Sequence, residues 1–330
     1  MLNADNRKTL SISLLYGFKF AHTWLKYLIK TLSLYIPLYT ILKLLKELRN
    51  TLKLLRFPFS VFLLPVSLFS FFYIQPILNY QLVLVIGIWH LLVFPASNGY
   101  NSFNDEDEGP IGGLAKPPKP TKFLLNVVNF MDGFAFFLAF FVNLYFVFFV
   151  IIYIIASRLY SNKTTRLKKY PFVGFLIVFI FQGIWIFCAN IFALSTPILL
   201  AHAPVILSGI ASSFLIGTIY PITQIYQHQA DENDGVKTLS MVLGLKGTFI
   251  FSVIMFGFAS MFIYLSFHLL HNLNNFWLFN LVMLPSTLFF LVWAFRSFRN
   301  TTHINFRNTM IMLVLSSMLN NVYFFVLLLN

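Results

Sequence analysis

Residues 101–109 read Asn101-Ser102-Phe103-Asn104-Asp105-Glu106-Asp107-Glu108-Gly109. Four consecutive acids stand out in a chain of 330 residues with only 10 Asp and Glu against 23 Lys and Arg. A second stretch, Gln227-His228-Gln229-Ala230-Asp231-Glu232-Asn233-Asp234-Gly235, repeats the pattern. Asn101 aligns with Gln227, Asp105 with Asp231, Glu108 with Asp234 and Gly109 with Gly235. Both segments read amide-x3-Asp-x2-acid-Gly, and each follows a long apolar run.

The surrounding composition identifies the medium. Hydrophobic residues make up 58% of the chain, aromatic residues 19% and charged residues 10%, with 42 Phe. Soluble domains carry about 25% charged residues, so a water-soluble enzyme is excluded. Disorder is excluded because so much apolar surface cannot stay solvated. Cys188 is the only cysteine, which excludes a disulfide scaffold. The formal charge of +13 gives no support to nucleic-acid binding, because the positives sit between apolar runs.

From Phe57 onward, nearly all charges fall in four stretches, 105–122, 158–169, 231–246 and 296–307, with Asp132 as the exception. The apolar runs between them accommodate spans of about 20 residues. The pattern predicts nine helices: 58–78, 82–100, 122–141, 143–160, 171–193, 202–226, 247–268, 276–295 and 308–329. Asn79–Gln81, Asn143, 195–204 and 267–275 are the uncharged breaks. Every charged loop then follows an even-numbered span and lies on one side, which the positive-inside rule places in the cytoplasm. The expected fold is an all-α polytopic membrane protein with nine transmembrane helices in two four-helix pseudo-repeats plus one. The expected location is a bacterial inner membrane.

Lysines and arginines recur through a Leu-rich N-terminal region, where a full span is costly. Residues 10–56 read as one or two amphipathic helices on the membrane surface, with an additional span near 10–42 as the rival. The domain division is therefore an N-terminal extension, 1–56, and a membrane domain, 57–330.

The spacing of the two acidic stretches has a chemical meaning. Residues four apart on a helix share a face, which brings Asn101 toward Asp105 and Gln227 toward Asp231. Asp105 with Glu108, and Asp231 with Asp234, are neighbours at three apart. Each stretch offers hard oxygen ligands, and Mg²⁺ takes one or two carboxylates together with substrate phosphates. The competing reading is a pair of solvated acidic loops.

The paired motifs resemble those of the UbiA-type intramembrane prenyltransferase superfamily, whose motifs are Asn-x3-Asp-x3-Asp and Asp-x3-Asp. Leu55-Arg56-Phe57-Pro58-Phe59 is similar to the segment leading into that family's first span. Tyr160-Ser161 with Arg166-Leu167-Lys168 is similar to its fourth-to-fifth-helix loop, and Tyr226-Gln227 through Lys237-Thr238 to its second motif. The likeness covers about 50–330. It departs at Gly109 and Gln227, where the family has metal-binding Asp.

The resemblance implies transfer of a prenyl group from an isoprenoid diphosphate to a hydrophobic acceptor such as a quinone precursor, a lipid or a pigment. It implies Mg²⁺ held by Asn101, Asp105, Glu108, Asp231 and Asp234, and diphosphate contacts from Lys116, Arg166, Lys168 and Lys237. The basic cluster 158–169 also reads as a topology determinant. Asp132 lies mid-span, where an acid either serves a ligand or is hydrogen-bonded inside the bundle. The reading from a different class is a non-catalytic binding or transport protein with the same repeat architecture.

Overall fold

The computed structural model describes residues 38–329. The expected surface helices, and the rival span near 10–42, lie largely outside the described residues. Within that region, α1 (Leu38–Leu55) carries Lys43, Lys46 and Lys53 among exposed leucines.

The first expected span departs most from a regular helix. A 3-10 turn, Phe57–Phe62, leads into the short helix α2 (Leu64–Ile74). Pro58 and Pro65 each lack a backbone N–H and so sit in first turns, where that donor is not needed. Arg56 enters the 3-10 turn in the left-handed region, with φ 47°. The span predicted as one helix over 58–78 is thus a bent unit that ends at a left-handed Gln75.

The other expected spans are helices α3 (Tyr80–Asp105), α4 (Lys122–Ala139), α5 (Leu144–Ser161), α6 (Pro171–Leu194) and α7 (Ala203–Gln224), followed beyond a short helix by α9 (Leu239–Leu269), α10 (Leu273–Arg299) and α11 (Phe306–Leu329). Among the described residues, these eight are long and apolar enough to cross a membrane. The short helix α8 (His228–Asn233) follows α7 and carries the second acidic motif. The two acidic stretches occupy equivalent places, each after the second span of a four-span set.

Asparagines set the uncharged breaks. Asn79 accepts from the Leu82 N–H at 2.9 Å and starts α3. Asn143 accepts from Phe146 N–H at 2.8 Å and starts α5. Its amide also donates to the Phe192 and Ala193 carbonyls at 2.9 and 3.1 Å, tying this turn to the end of α6. One side chain therefore satisfies backbone groups at two helix ends, which resolves the break inside the apolar run 122–160.

The charged loops meet in space. Cations after α5 pair with acids after α3 and α7. Tyr226 packs edge-on against Phe306, which lies in the fourth charged stretch. All four stretches therefore lie on one side, as the charge pattern predicts. Outward apolar side chains such as Phe137, Leu144, Leu281 and Phe295 stay exposed, which suits contact with lipid tails.

The buried core runs through the bundle as packed aromatics, some stacked and some edge-to-face. Phe69 lies 4.4 Å from Phe324 and 5.8 Å from Phe187, ring centre to ring centre. Two helices are broken by π turns, Ile88–Val93 in α3 and Ile180–Ile184 in α6. The second contains Gly183, which presses on α7. A Cβ there would lie 2.3 Å from Ser213 Cα. The Ser213 hydroxyl accepts from the Ile184 N–H at 2.9 Å, satisfying a backbone donor in the broken segment, as non-helical backbone at membrane depth requires. Gly183→Ala should cost about 1–3 kcal/mol through overpacking, read as a lower melting temperature in detergent.

Asp132 forms a hydrogen-bonded ion pair with Arg158 inside the bundle, at 13% and 22% side-chain exposure. The Arg158 guanidinium also lies over the Tyr100 ring, 3.9 Å from its centre. Arg158 therefore leaves the loop cluster and neutralises the one mid-span acid.

Candidate functional site

A cavity of about 340 Å³ opens among α3, α5, α6, α7 and α11. Asp105, Asp107, Asp231, Asp234, Lys168 and Arg56 are grouped along its charged wall. Its size falls within the range of ~300–1,000 Å³ typical of small-molecule sites.

The last turn of α3 positions the first motif. Asn101 and Asp105 share a face, and Asn101 Nδ2 donates to Asp105 Oδ2 at 2.8 Å. Ser161, at the end of α5, donates to Asn101 Oδ1 at 2.8 Å. Asp105 is 6% exposed; it pairs with Lys168, and Arg166 lies 3.6 Å from its other oxygen. Arg166 also reaches Asp234 at 2.9 Å. Both motifs are thus bridged by one loop, whose turn is entered at a left-handed Arg166, φ 40°.

α3 is capped at its end by Glu106, φ 53°. This left-handed residue reverses the chain and decides which acid turns inward. Asp107 lines the cavity. Glu108 is 85% exposed and lies 3.9 Å from Lys119. The structure therefore places Glu108 outside the cluster and puts Asp107 in its place. Lys116 and Lys237 also lie exposed, outside the cavity wall. Lys116 sits on the stiff Lys116-Pro117-Pro118 segment, which carries it outward, and Lys237 precedes the turn into α9.

Three residues to which the sequence assigned no role, Arg56, Tyr160 and Tyr220, join the wall. Arg56 donates to the Gly112 and Asn98 carbonyls at 3.3 Å and so fastens the segment after the first motif. Tyr160 and Tyr220 bring their hydroxyls within 3.1 Å across the cavity. Gln227 donates to the Pro110 carbonyl at 3.0 Å, a bond from one acidic loop to the other that a carboxylate cannot make. His228 bonds Ser240 at 2.8 Å and serves the α8–α9 turn.

The acids crowd one another. Burial, with Asp105 adding repulsion, raises Asp107 to about 6. Burial raises Asp231 to about 7, against Lys168 and with Asp107 and Asp105 adding repulsion. Each titrates near 4 when unfolded, about 3.9 for Asp. The folded chain therefore holds extra protons between those values, and stability falls as pH rises through that window. Melting in metal-free detergent should show this decline from about pH 4 to 7; a melting temperature that rises over the window contradicts the assignment.

Among the described residues, no three Asp, Glu, His or Cys side chains already converge as metal ligands. Two buried carboxylate oxygens nevertheless lack hydrogen-bond partners among the described residues: Asp231 Oδ2, and Asp105 Oδ1, which has Arg166 only at ion-pair distance, 3.6 Å. Unpaired buried carboxylate oxygens are costly unless a cation meets them. This all-oxygen donor set suits Mg²⁺.

A model of the UbiA prenyltransferase family matches residues 62–327. The chain belongs to that family. The UbiA-family fold extends to solved structures of low sequence identity. A UbiA homologue from Archaeoglobus fulgidus bound to GPP and Mg²⁺ superposes with a TM-score of 0.62 at 16% identity, covering 85% of this chain and 100% of that one. A UbiA homologue from Aeropyrum pernix K1 gives 0.61 at 14% identity, covering 82% and 98%. A digeranylgeranylglyceryl phosphate synthase gives 0.57 at 15% identity, covering 86% and 98%. No curated protein sequence gives a significant match. Family membership and the eight long apolar helices establish an integral membrane protein.

Proposed function

We propose that this UbiA-family protein transfers a prenyl group from an allylic isoprenoid diphosphate to a hydrophobic acceptor within the bilayer. The observation that carries this reading is the acid–base cluster at one end of an intramembrane cavity. Asp105, Asp231 and Asp234, with Asn101 and Asp107 beside them, would hold Mg²⁺. The Archaeoglobus fulgidus homologue solved with GPP and Mg²⁺ supports that ligand pair. Magnesium, when bound, neutralises the diphosphate and stabilises it as a leaving group.

The chain's own residues do the rest. Lys168 and Arg166, paired with carboxylates in the free protein, exchange those partners for diphosphate oxygens. Arg56 holds the loop after the first motif against the cluster. The bond between C1 and the diphosphate oxygen breaks, and its electron pair leaves with the diphosphate. The acceptor's nucleophilic atom bonds to C1 and loses its proton. Tyr160, Tyr153 and Phe181 line the cavity, and aromatic rings there favour the positive charge that develops on the allyl group. The acceptor class is an aromatic quinone precursor, a lipid-like alcohol or a pigment. The charged face is cytoplasmic, α1 belongs to a surface-bound N-terminal extension, and the membrane is a bacterial inner membrane.

The test is turnover. Purified protein in liposomes, given labelled geranyl diphosphate, Mg²⁺ and a panel of acceptors, should form labelled lipid-soluble product and release inorganic diphosphate. Binding of the diphosphate with no product from any acceptor would favour a non-catalytic binding role. Magnesium should also raise the melting temperature most above pH 7, because its ligands must be ionised and Asp231 titrates at about 7.

A further inference from the structure

Below the acid cluster, the cavity wall becomes apolar and then polar again. Gln182, in the π turn of α6, lines it at mid-span. Its neighbour Gly183 packs on Ser213 of α7, which sets Gln182 at the level of Ser212, and Tyr153 of α5 lines the same cavity. Asn320 of α11 lines the cavity with Ser316; Phe306 packs on Tyr226, and counting equal rises down α11 from Phe306 and down α7 from Tyr226 brings Asn320 to about the depth of Ser212. Asn320 donates to the Ser316 carbonyl at 2.8 Å, but its own buried Oδ1 has no partner among the described residues. One turn further along α11, Phe324 closes the cavity, stacked on Phe69.

Two helices measure the depth of this polar ring. Tyr160 and Tyr220, joined at 3.1 Å, mark the level just beneath the cluster. Tyr153 lies two turns below Tyr160 on α5. Ser212, which lines the cavity on α7, lies slightly more than two turns from Tyr220. Both give a drop of about 10–12 Å. An extended carbon chain advances about 1.2 Å per bond, so two isoprene repeats of four bonds each reach about 10 Å. A third repeat would pass the ring and enter the space above Phe324.

We propose that Gln182 and Asn320 form a polar collar that limits the donor to about two isoprene repeats, a geranyl-length chain. This rests on the prenyltransferase reading of the cavity. A chain that ends above the collar leaves the Gln182 amide free to bond water in the cavity, while Asn320, its Oδ1 closed off from solvent, keeps its Ser316 bond. A longer chain lays hydrocarbon against both side chains and strips that water, leaving the Gln182 amide unsatisfied. The π turn is the device that presents Gln182. Close packing of Gly183 on Ser213 holds the distorted segment in place, and Ser213 meets its free N–H.

The experiment is competition binding of geranyl, farnesyl and geranylgeranyl diphosphates to the full chain in nanodiscs with Mg²⁺. Wild type should bind the geranyl donor about tenfold more tightly than the geranylgeranyl donor. Gln182→Leu and Asn320→Leu should each narrow or invert that ratio by improving the longer donors, with geranyl affinity changed little. Equal wild-type affinity for all three lengths, or variants that melt normally and keep the wild-type ratio, overturn the collar while leaving the site reading intact. Failure of all three donors to bind wild type overturns the site reading and the collar with it.

Discussion

Asp105→Asn and Asp231→Asn should each lower prenyl transfer by about 10²–10³-fold, the scale seen when one preorganised electrostatic contact to a reacting group is removed. Asparagine keeps the size and one acceptor oxygen but loses the charge. Asp105 binds Asn101, Lys168 and Arg166 at once, so its replacement also releases the loop that bridges the two motifs. Among the described residues Asp231 is bonded to no cation, and its buried Oδ2 has no partner. Asp231→Asn should therefore remove activity while leaving the melting temperature unchanged or raised. Steady-state release of diphosphate in liposomes, with melting curves on the same samples, checks both halves. Full activity in Asp231→Asn would remove this residue from the chemistry.

The largest effect on stability should come from the ion pair within the bundle. Asp132→Ala leaves Arg158 charged and unpaired at 22% side-chain exposure, a loss of about 3–5 kcal/mol by comparison with other buried pairs. Arg158→Ala should cost a similar amount and also removes the cation stacked on Tyr100. Tyr100 accepts from Asn162 at 2.9 Å, so that loss extends to the loop carrying Arg166 and Lys168. Asp132→Leu combined with Arg158→Met should recover most of the stability, since paired apolar replacements are often neutral or better. Melting temperatures of the two single variants and the double variant decide this. A double variant no more stable than either single one would mean that the packing, rather than the pairing, is at fault.

Much of the fold was legible because a bilayer enforces simple rules. Charges outside loops are costly, so their positions marked the ends of the spans and the side each loop occupies. Asn79 and Asn143 marked breaks because a short amide side chain can cap a helix start. The matched spacing of Asn101 with Asp105 identified the first motif because that spacing lies on one helical face.

The rest depended on single backbone angles and distant partners. Whether Asp107 or Glu108 turns inward follows from the left-handed Glu106, a conformation that no residue type there announces. The bent first span follows from Arg56 and two prolines acting together. By sequence Gly183 is a glycine like any other in an apolar helix, and its role depends on Ser213, which packs against it from α7. The role of Asp132 required Arg158, which is close in space but far in sequence and read as part of a loop cluster. A sequence signal did exist for Arg56, in its place beside Phe57-Pro58, yet only the structure shows it fastened to Gly112 and Asn98.

On the proposed function, the acidic motifs bind a prenyl diphosphate together with a divalent cation. The most direct test is equilibrium binding of labelled geranyl diphosphate to the purified chain in nanodiscs, titrated with Mg²⁺. Saturable binding that requires Mg²⁺, is lost on chelation, and is lost in the Asp105→Asn, Asp231→Asn double variant is the predicted result. Binding that survives both chelation and the double substitution would contradict it.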